Sequence, residues 1–188
     1  MLATQITTYR QIVTLKDGVN ILLRPMTPDD EQALINLFSP ISDEDLRYLH
    51  DNVRDPTTIQ EWCDHLDFKR VLPLMALVNE RAVGQASLHL QKGPARHMAK
   101  VRIFLAQDFR RRGLGTKMLN TLIELARKQD LHMLVAEVVA DQSKVIKAFQ
   151  SLGFQLRCTF EDYFMLPNGE TRDVAVLVLP LKMNIDEF

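Results

Sequence analysis

The stretch Arg110-Arg111-Arg112-Gly113-Leu114-Gly115-Thr116 lies between a predicted strand, His97 to Leu105, and a predicted amphipathic helix, Gly113 to Lys128. Its glycines place bare backbone N–H groups at the start of that helix, where the helix dipole is positive. Such a helix start favours an anion, and a pyrophosphate group suits it well. The alternative is an ordinary helix start that carries surface arginines.

Two familiar phosphate motifs are absent from this stretch. A Walker A loop needs a Gly-Lys-Ser/Thr end, and a dinucleotide-binding fingerprint needs three glycines in the order GxGxxG. Neither pattern fits residues 110–116. The loop is therefore of another anion-binding type.

Strand and helix patterns surround the loop on both sides. A hairpin is predicted around Asp17-Gly18, and a helix is predicted to begin at Thr27-Pro28, because threonine caps helices and proline suits their first turn. Shorter helices are expected between 43 and 66, broken near Pro56. The same rules predict six strands and one further helix. The strands are Val71–Val78, Ala82–Leu90, His97–Leu105, Leu131–Val139 and the closing pair Phe154–Met165 and Thr171–Leu179, which turns at Pro167-Asn168-Gly169. The helix is Gln142–Ser151.

The composition is that of one ordinary globular domain. The chain has 188 residues, of which 46% are hydrophobic and 25% are charged, and its formal net charge is −1. This length predicts a single domain over 1–188, with a core at about 10–181. The balanced charge argues against a nucleic-acid partner or a membrane partner, and no apolar run reaches the length of a membrane span. The N-terminus has no signal-peptide pattern, so a cytoplasmic location is expected.

Two segments at matching spacing carry a family resemblance. Residues 110–116 resemble the acetyl-CoA-binding motif [R/Q]xxGx[G/A] of the GNAT superfamily of N-acetyltransferases, and residues 142–154 resemble that family's Asn…Tyr-xxx-Gly-Phe segment. The opening TLKDGVNILLRPMTPDDE, residues 14–31, is similar to the acetyltransferase module of bacterial protein-lysine acetyltransferases. The resemblance covers roughly residues 10–181.

The resemblance implies an α/β (α+β) GNAT fold. Its mixed, mostly antiparallel sheet of about seven strands is flanked by helices and splays between the family's strands four and five. It also implies acetyl-CoA as cosubstrate, bound by the backbone of Ile103, Phe104 and Leu105 along its pantetheine arm. The pyrophosphate would be held by Arg111, Arg112, Gly113, Leu114, Gly115 and Thr116, and Gln142 stands where the family usually has an asparagine.

The chemistry of acetyl transfer requires a neutral amine, and an amine with a pKa of about 10.4 is neutral in roughly one molecule in 2,500 at pH 7. A proton acceptor is therefore expected. Glu137 is the candidate base, because the ribosomal-protein N-terminal acetyltransferases that this segment resembles have a glutamate there. The alternative is a strand glutamate that faces solvent or pairs with a lysine or arginine.

Two positions depart from the family pattern. Phe149 replaces the tyrosine that often protonates the leaving thiolate, so water or a group such as Tyr163 would have to supply that proton. Lys100 stands where the resembled lysine acetyltransferases have a catalytic glutamate, and a cation is a poor base unless its pKa falls far. Protein lysine is therefore doubtful as a substrate.

No metal site or disulfide is expected. Cys63 and Cys158 are far apart in the sequence, and the five histidines show no ligand spacing. The predicted function is an N-acetyltransferase that moves acetyl from acetyl-CoA to a primary amine, of a small molecule or a protein, by direct attack in a ternary complex. The alternative is a non-catalytic or regulatory acyl-CoA-binding module. The sequence does not name the acceptor or the oligomeric state, and a homodimer is the one assembly considered.

Overall fold

The structure is a computed structural model that describes residues 6–166 and 168–182. Its strands are β1 (Gln11–Thr14), β2 (Asn20–Pro25), β3 (Val71–Val78), β4 (Arg81–Leu90), β5 (Met98–Leu105), β6 (Met133–Val139), β7 (Gln155–Met165) and β8 (Thr171–Pro180). The helices are α1 (Glu31–Phe38), α2 (Asp43–Leu46), α3 (Pro56–Asp64), α4 (Leu114–Lys128) and α5 (Ser143–Ser151). Three short 3₁₀ turns precede α1, β5 and α4, at Pro28–Asp30, Gly93–Ala95 and Gln107–Phe109.

All eight strands form one open sheet in the order β1-β2-β3-β4-β5-β6-β8-β7. The pairs β1–β2, β2–β3, β6–β8 and β7–β8 are antiparallel, and β5–β6 is parallel. The predicted mixed, mostly antiparallel sheet with flanking helices is therefore confirmed, with eight strands where about seven were expected. β5 and β6, between which the resemblance implies a splay, pair at three register positions, from Met98 opposite Met133 to Lys100 opposite Val135.

Packing divides the chain into two compact units. Unit 1 contains the residues up to Ser87 together with Ile103–Leu119, and unit 2 contains Leu88–Arg102 together with the residues from Asn120 onward. β4, β5 and α4 contribute residues to both units. The expectation of a single domain stays a prediction.

Unit 1 has its core between β2, β3 and the first helices. Its fully buried side chains are Ile21, Leu23, Leu34, Leu72, Leu74 and Met75, together with Phe38, whose ring meets Trp62 edge-on at 6.0 Å. Arg24 and Asp30 join β2 to the start of α1 by two hydrogen bonds of 2.5 and 2.6 Å. Burial by itself raises the pKa of Asp30, but the bonds from Arg24 and the Thr27 N–H outweigh it, so the pKa lies below its ordinary value.

Unit 2 has its core on β6 and β8. The buried members are Leu134, Ala136, Val138, Val174, Ala175 and Leu177, with Leu122, Leu125 and Ala126 from α4. α5 ends as predicted at Gly153, which has φ +94° and donates its N–H to the Gln150 carbonyl. This left-handed residue stops the helix and is suited to glycine.

The turns between neighbouring strands contain residues with positive φ. The β3–β4 turn uses Asn79 and Glu80, both with positive φ, and the first hairpin uses Gly18 at φ +84°. In the predicted closing turn, Gly169 has φ +85° and donates its N–H to the Leu166 carbonyl. Pro167 lies outside the described residues.

Candidate functional site

The loop of residues 110–116 begins α4 in unit 1 and leaves its first N–H groups unpaired. Arg111 has φ +60° and Gly113 has φ +87°, and the first intrahelical bond runs from the Lys117 N–H to the Gly113 carbonyl at 3.2 Å. Within residues 6–166 and 168–182, no acceptor meets the N–H groups of Leu114, Gly115 or Thr116. Three free donors at the positive end of a 15-residue helix form an anion site.

Gly115 lets this helix start lie close to the end of β5. A Cβ added at Gly115 would come within 3.4 Å of Leu105 Cδ1 and 3.8 Å of Ile103 Cδ1. The position has room for a methyl group and for little more on that side. A longer side chain would extend toward the start of the helix, because helical side chains lean toward the N-terminus.

The three arginines of the loop have different surroundings. Arg110 pairs with Asp45 at 2.7 Å, and its guanidinium also donates to the Leu105 carbonyl at 3.2 Å. Arg112 pairs with Asp17 at 2.5 Å and lies 4.3 Å from the centre of the Phe109 ring. Exposed Arg111 has no partner in the described part of the chain. Arg111 is therefore the cation of this loop that is free for a ligand.

Asp17 and Asp45 come from distant parts of the sequence, and sequence reasoning did not identify them. The sequence pattern places Asp17 only in a hairpin turn. In the structure the Asp17 carboxylate accepts a hydrogen bond from Arg112, which lowers the pKa of this carboxyl. It lies 95 residues before Arg112. No local pattern could have linked the two, because the contact depends on the folding of unit 1.

The last three residues of β5 precede the loop. Ile103, Phe104 and Leu105 are half-buried, and the next residue, Ala106, donates its N–H to the Val83 carbonyl at 3.0 Å. The Phe104 ring packs 4.8 Å from the Phe38 ring. These contacts hold the end of β5 against the core of unit 1 and fix its backbone beside the loop.

A cavity of about 390 Å³ opens beside Phe104 in unit 1. Its wall carries two ion pairs, Arg110 with Asp45 and Arg81 with Asp108. Each fixed charge is already neutralised by its neighbour. The charged side chains that line the cavity therefore sum to zero.

The candidate base lies in unit 2, on β6. The Glu137 carboxylate accepts a hydrogen bond from Lys100 Nζ at 2.6 Å, and the side chain of Glu137 is 11% exposed. Lys100 lies on the neighbouring strand β5 and its side chain is 41% exposed. Of the two interpretations of Glu137, pairing with a lysine describes its contacts. Its catalytic role stays a prediction.

The other predicted positions of unit 2, Gln142, Phe149 and Tyr163, differ in the exposure of their side chains. Gln142 precedes α5, and its side-chain amide has no partner in the described chain. Phe149 is only 4% exposed and meets the Phe154 ring edge-on at 5.0 Å, so it belongs to the core. Tyr163, considered as a proton donor, is exposed on β7 and stacks on Phe160 at 5.4 Å.

The described part of the chain contains no disulfide and no cluster of side chains that could hold a metal ion. Neither cysteine forms a disulfide there: Cys63 is buried, Cys158 is exposed, and burial raises the pKa of the Cys63 thiol to about 11. Residues 6–166 and 168–182 hold no cluster of three metal-ligating side chains. Among the same residues, no helix is long and apolar enough to cross a membrane.

Comparisons with known proteins fit this architecture. The [Ribosomal protein bS18]-alanine N-acetyltransferase of Escherichia coli (strain K12) is 32% identical over 76 residues, which are 40% of this chain and 51% of that protein. The chain thus spans about half the length of this curated relative.

Two solved structures share the fold. The GNAT domain of S. lividans PAT has a TM-score of 0.78 at 22% identity, covering 91% of this chain and 96% of that one. The structure of yncA from Salmonella typhimurium, solved with its cofactor acetyl-CoA, has a TM-score of 0.74 at 20% identity, covering 87% of this chain and 95% of that one.

A family model also matches the sequence of this chain. The model of the acetyltransferase (GNAT) family matches residues 33–154, more than half of the chain, and these residues include the loop, Lys100, Glu137 and Gln142. The predicted family is therefore confirmed: the chain belongs to the GNAT family of acetyltransferases.

Proposed function

We propose that the protein is an acyl-CoA-dependent N-acetyltransferase that moves acetyl from acetyl-CoA to a primary amine. The observation that carries this proposal is the start of α4, where three N–H groups have no acceptor and exposed Arg111 has no partner in the described chain, within the residues that the GNAT family model matches. An anion of the size and charge of a pyrophosphate satisfies all of these donors. The acetyl-CoA in the yncA structure supports the choice of cosubstrate.

Each predicted cofactor residue has a role in this proposal. The N–H groups of Leu114, Gly115 and Thr116 receive the pyrophosphate, Gly113 supplies the left-handed turn before them, and Arg111 adds a charge. Arg112 acts through its pair with Asp17, which holds the loop. The backbone of Ile103–Leu105 pairs with the pantetheine arm, and the free amide of Gln142 offers a donor and an acceptor to the cosubstrate.

The transfer proceeds by direct attack in a ternary complex. The neutral amine nitrogen forms a bond to the thioester carbon, the carbon–sulfur bond breaks, and CoA leaves as a thiolate. The amine loses one proton to a base, and the thiolate gains one from solvent. Glu137 is the proposed base, acting directly or through a water molecule. A thiol pKa near 8.5 makes the thiolate an adequate leaving group without a tyrosine at Phe149.

The acceptor we favour is an α-amine. An α-amine has a pKa of about 7.7–8.0, so about one molecule in six to one in eleven is neutral at pH 7, whereas a lysine amine is almost fully charged. An α-amine therefore depends less on a base than a lysine amine does, because more of it is already neutral. The curated relative is named for the alanine of a ribosomal protein, which agrees in chemical class.

The second candidate is a non-catalytic acyl-CoA-binding module. The observation in its favour is the same Lys100–Glu137 bond, because it engages the carboxylate that an enzyme of this kind would use as its base. Both candidates bind acetyl-CoA. They differ in whether CoA is released.

The domain organisation, the location and the partners of the protein belong to the same proposal. We infer that the two units work as one domain, since β4, β5 and α4 contribute to both and the family match runs through both. The two free thiols support a reducing, cytoplasmic location. No nucleic-acid or membrane partner and no metal cofactor is proposed.

The deciding experiment measures CoA release from acetyl-CoA in the presence of separate pools of α-amino peptides, lysine peptides with blocked N-termini, polyamines and amino acids. We expect release with at least one α-amine pool and little with blocked lysine peptides. A thermal shift with acetyl-CoA is measured on the same sample. Binding without release in any pool would establish the non-catalytic module, and the absence of both would refute the acetyl-CoA assignment.

A further inference from the structure

Arg110 is the first residue of the loop, and its guanidinium donates a hydrogen bond to the Leu105 carbonyl at the end of β5. We propose that Asp45, on α2, is a positioning residue for the acetyl-CoA site and acts through Arg110, which it holds against the last peptide group of β5. The inference rests on the proposed function, because the site that Asp45 positions is the one at the start of α4. In this role neither Asp45 nor the Arg110 side chain touches the ligand.

The peptide group between Leu105 and Ala106 is the point where β5 turns toward the loop. Its carbonyl accepts the bond from Arg110 Nε at 3.2 Å, and its N–H donates to the Val83 carbonyl at 3.0 Å. Both polar groups of one planar unit are engaged, so the orientation of the whole unit is fixed. The next carbonyl, of Ala106, accepts the Phe109 N–H at 2.9 Å. The path of the backbone from β5 into the loop therefore depends on the bond from Arg110.

Asp45 determines how the Arg110 guanidinium is oriented. The Asp45 carboxylate accepts hydrogen bonds from Nη1 at 3.2 Å and from Nη2 at 2.7 Å. Since Nε donates to Leu105, all three nitrogens of the guanidinium have an acceptor. The guanidinium carbon also lies 5.7 Å from the centre of the Phe104 ring. A planar fork that is held by a carboxylate has one orientation, whereas the single bond to Leu105 would leave it free to rotate.

The Asp45 carboxylate is itself held in place by the fold of unit 1. α2 begins at Ser42, whose Oγ accepts the Asp45 N–H at 3.0 Å. The side chains of Asp45 and Arg110 are 29% and 35% exposed, so water reaches the pair only in part. An ion pair with this shielding and two hydrogen bonds keeps its geometry better than one on the open surface.

The competing role of Asp45 is to neutralise Arg110. If that were its only role, loss of the carboxylate would free a second cation beside Arg111, and CoA would bind more tightly, above all at low salt. The contacts of Arg110 favour positioning, because its Nε donor is not used by Asp45 and is bonded to the Leu105 carbonyl. The two roles predict opposite changes in CoA affinity for the same substitution.

The test is a calorimetric titration with CoA of the wild type and of Asp45→Asn. The variant should raise the Kd about fivefold or more, because an amide has one acceptor oxygen where the guanidinium fork uses two. An unchanged Kd, or a lower one, in a variant of a wild type that binds CoA would overturn this inference alone. A wild type that does not bind CoA would overturn the proposed function and this inference with it.

A double-variant cycle shows whether Asp45 acts through Arg110. Arg110→Met keeps an unbranched apolar chain beside Phe104 but removes every donor, so it should also raise the Kd about fivefold or more. The double variant D45N/R110M should bind CoA no more weakly than Arg110→Met, because the carboxylate then has nothing to position. A further full loss in the double variant would overturn the proposal, since Asp45 would then act independently of Arg110.

Asp43→Asn is the matched control, because it makes the same change in the same helix and also breaks an ion pair with an arginine, Arg54. The Asp43 side chain is 80% exposed, and the Kd for CoA should change about twofold or less. The number of CoA molecules bound per chain is a second readout. A variant that is merely less folded binds fewer molecules with an unchanged Kd. Equal rises in Kd for Asp43→Asn and Asp45→Asn would assign the effect to the stability of α2 and overturn the proposal.

Discussion

Lys100 Nζ donates a hydrogen bond to Glu137 Oε1 at 2.6 Å, between the parallel neighbours β5 and β6. Glu137, the candidate base, and Lys100, the cation at the position of the family's glutamate, thus form one ion pair. The bond engages Oε1 of the carboxylate that is proposed as the base, and it holds that side chain in place.

The first prediction concerns this pair. Lys100→Met should lower kcat by about threefold or more, because the Glu137 carboxylate loses the hydrogen bond that holds it in place. Glu137→Gln should lower kcat by about 10²-fold, because an amide cannot accept the proton of the amine. The measurement is CoA release from pH 5 to pH 9 with an α-amine acceptor.

Lys144→Met is the matched control for the Lys100 variant. Lys144 is an exposed lysine on α5 with no partner in the described chain, so its loss should leave the profile unchanged. If Lys100→Met and Lys144→Met both keep the wild-type kcat, the bond from Lys100 does not position a catalytic Glu137.

The second prediction concerns Gly115. Acetyl-CoA at 100 times its dissociation constant should stabilise the wild type by about 2.7 kcal/mol, seen as a higher melting temperature. Gly115→Glu should abolish this shift, since its carboxylate would occupy the anion site and repel the ligand. Gly115→Ala is the folding control: its methyl group meets Leu105 at 3.4 Å, so the protein without ligand should keep nearly its wild-type melting temperature. A full ligand shift in Gly115→Glu would place the phosphates elsewhere.

The third prediction separates Arg111 from a nearby cation. Arg111→Ala should weaken CoA binding about tenfold, and more at low salt than at high salt, because its free guanidinium faces solvent beside the helix start. Lys117→Ala removes an exposed, unpaired charge from the next turn of the same helix and should change affinity about twofold or less. Calorimetric titration at two salt concentrations makes the comparison. Equal losses in the two variants would indicate general attraction and not a specific contact.

The fourth prediction concerns stability and pH. The folded protein holds the pKa of Asp30 below its unfolded value of 3.8, so the stabilising contribution is present above about pH 4 and is lost as pH falls through the lower, folded value. Asp30→Asn should cost about 3 kcal/mol at pH 7, because it leaves Arg24 unpaired where the pair is largely buried. It should also lose less stability than the wild type between pH 5 and pH 3.

Asp43→Asn is the control for Asp30. Asp43 pairs with Arg54 at 2.5 Å, but its side chain is 80% exposed, and exposed pairs contribute little. Urea unfolding at several pH values should show a change below about 1 kcal/mol for this variant. A similar cost for both variants would contradict the assignment of the Arg24–Asp30 pair to the core.

The family and the fold could be predicted from sequence because their signals are local. The Asp17-Gly18 hairpin, the Thr27-Pro28 helix start, the periodic apolar residues of α4 and the glycine that ends α5 each depend on a few neighbouring residues. The motif at 110–116 is also local, since a glycine and a helix start in adjacent positions are sufficient to leave N–H groups free. α4 and the end of α5 lie within one residue of their predicted bounds, whereas the helix predicted from Thr27-Pro28 begins as a 3₁₀ turn at Pro28–Asp30 and becomes α1 only at Glu31.

The electrostatic partners were decided by tertiary structure alone. Arg110 meets Asp45, Arg112 meets Asp17 and Lys100 meets Glu137 across 37 to 95 residues of sequence. A strand pattern places Lys100 and Glu137 on strands but does not give the order of those strands in a sheet. By itself the sequence determined which residues carry charge and where backbone donors are free. The tertiary structure determined which of those charges are already neutralised, because pairing depends on distance in space, and so left Arg111 as the free cation of the loop.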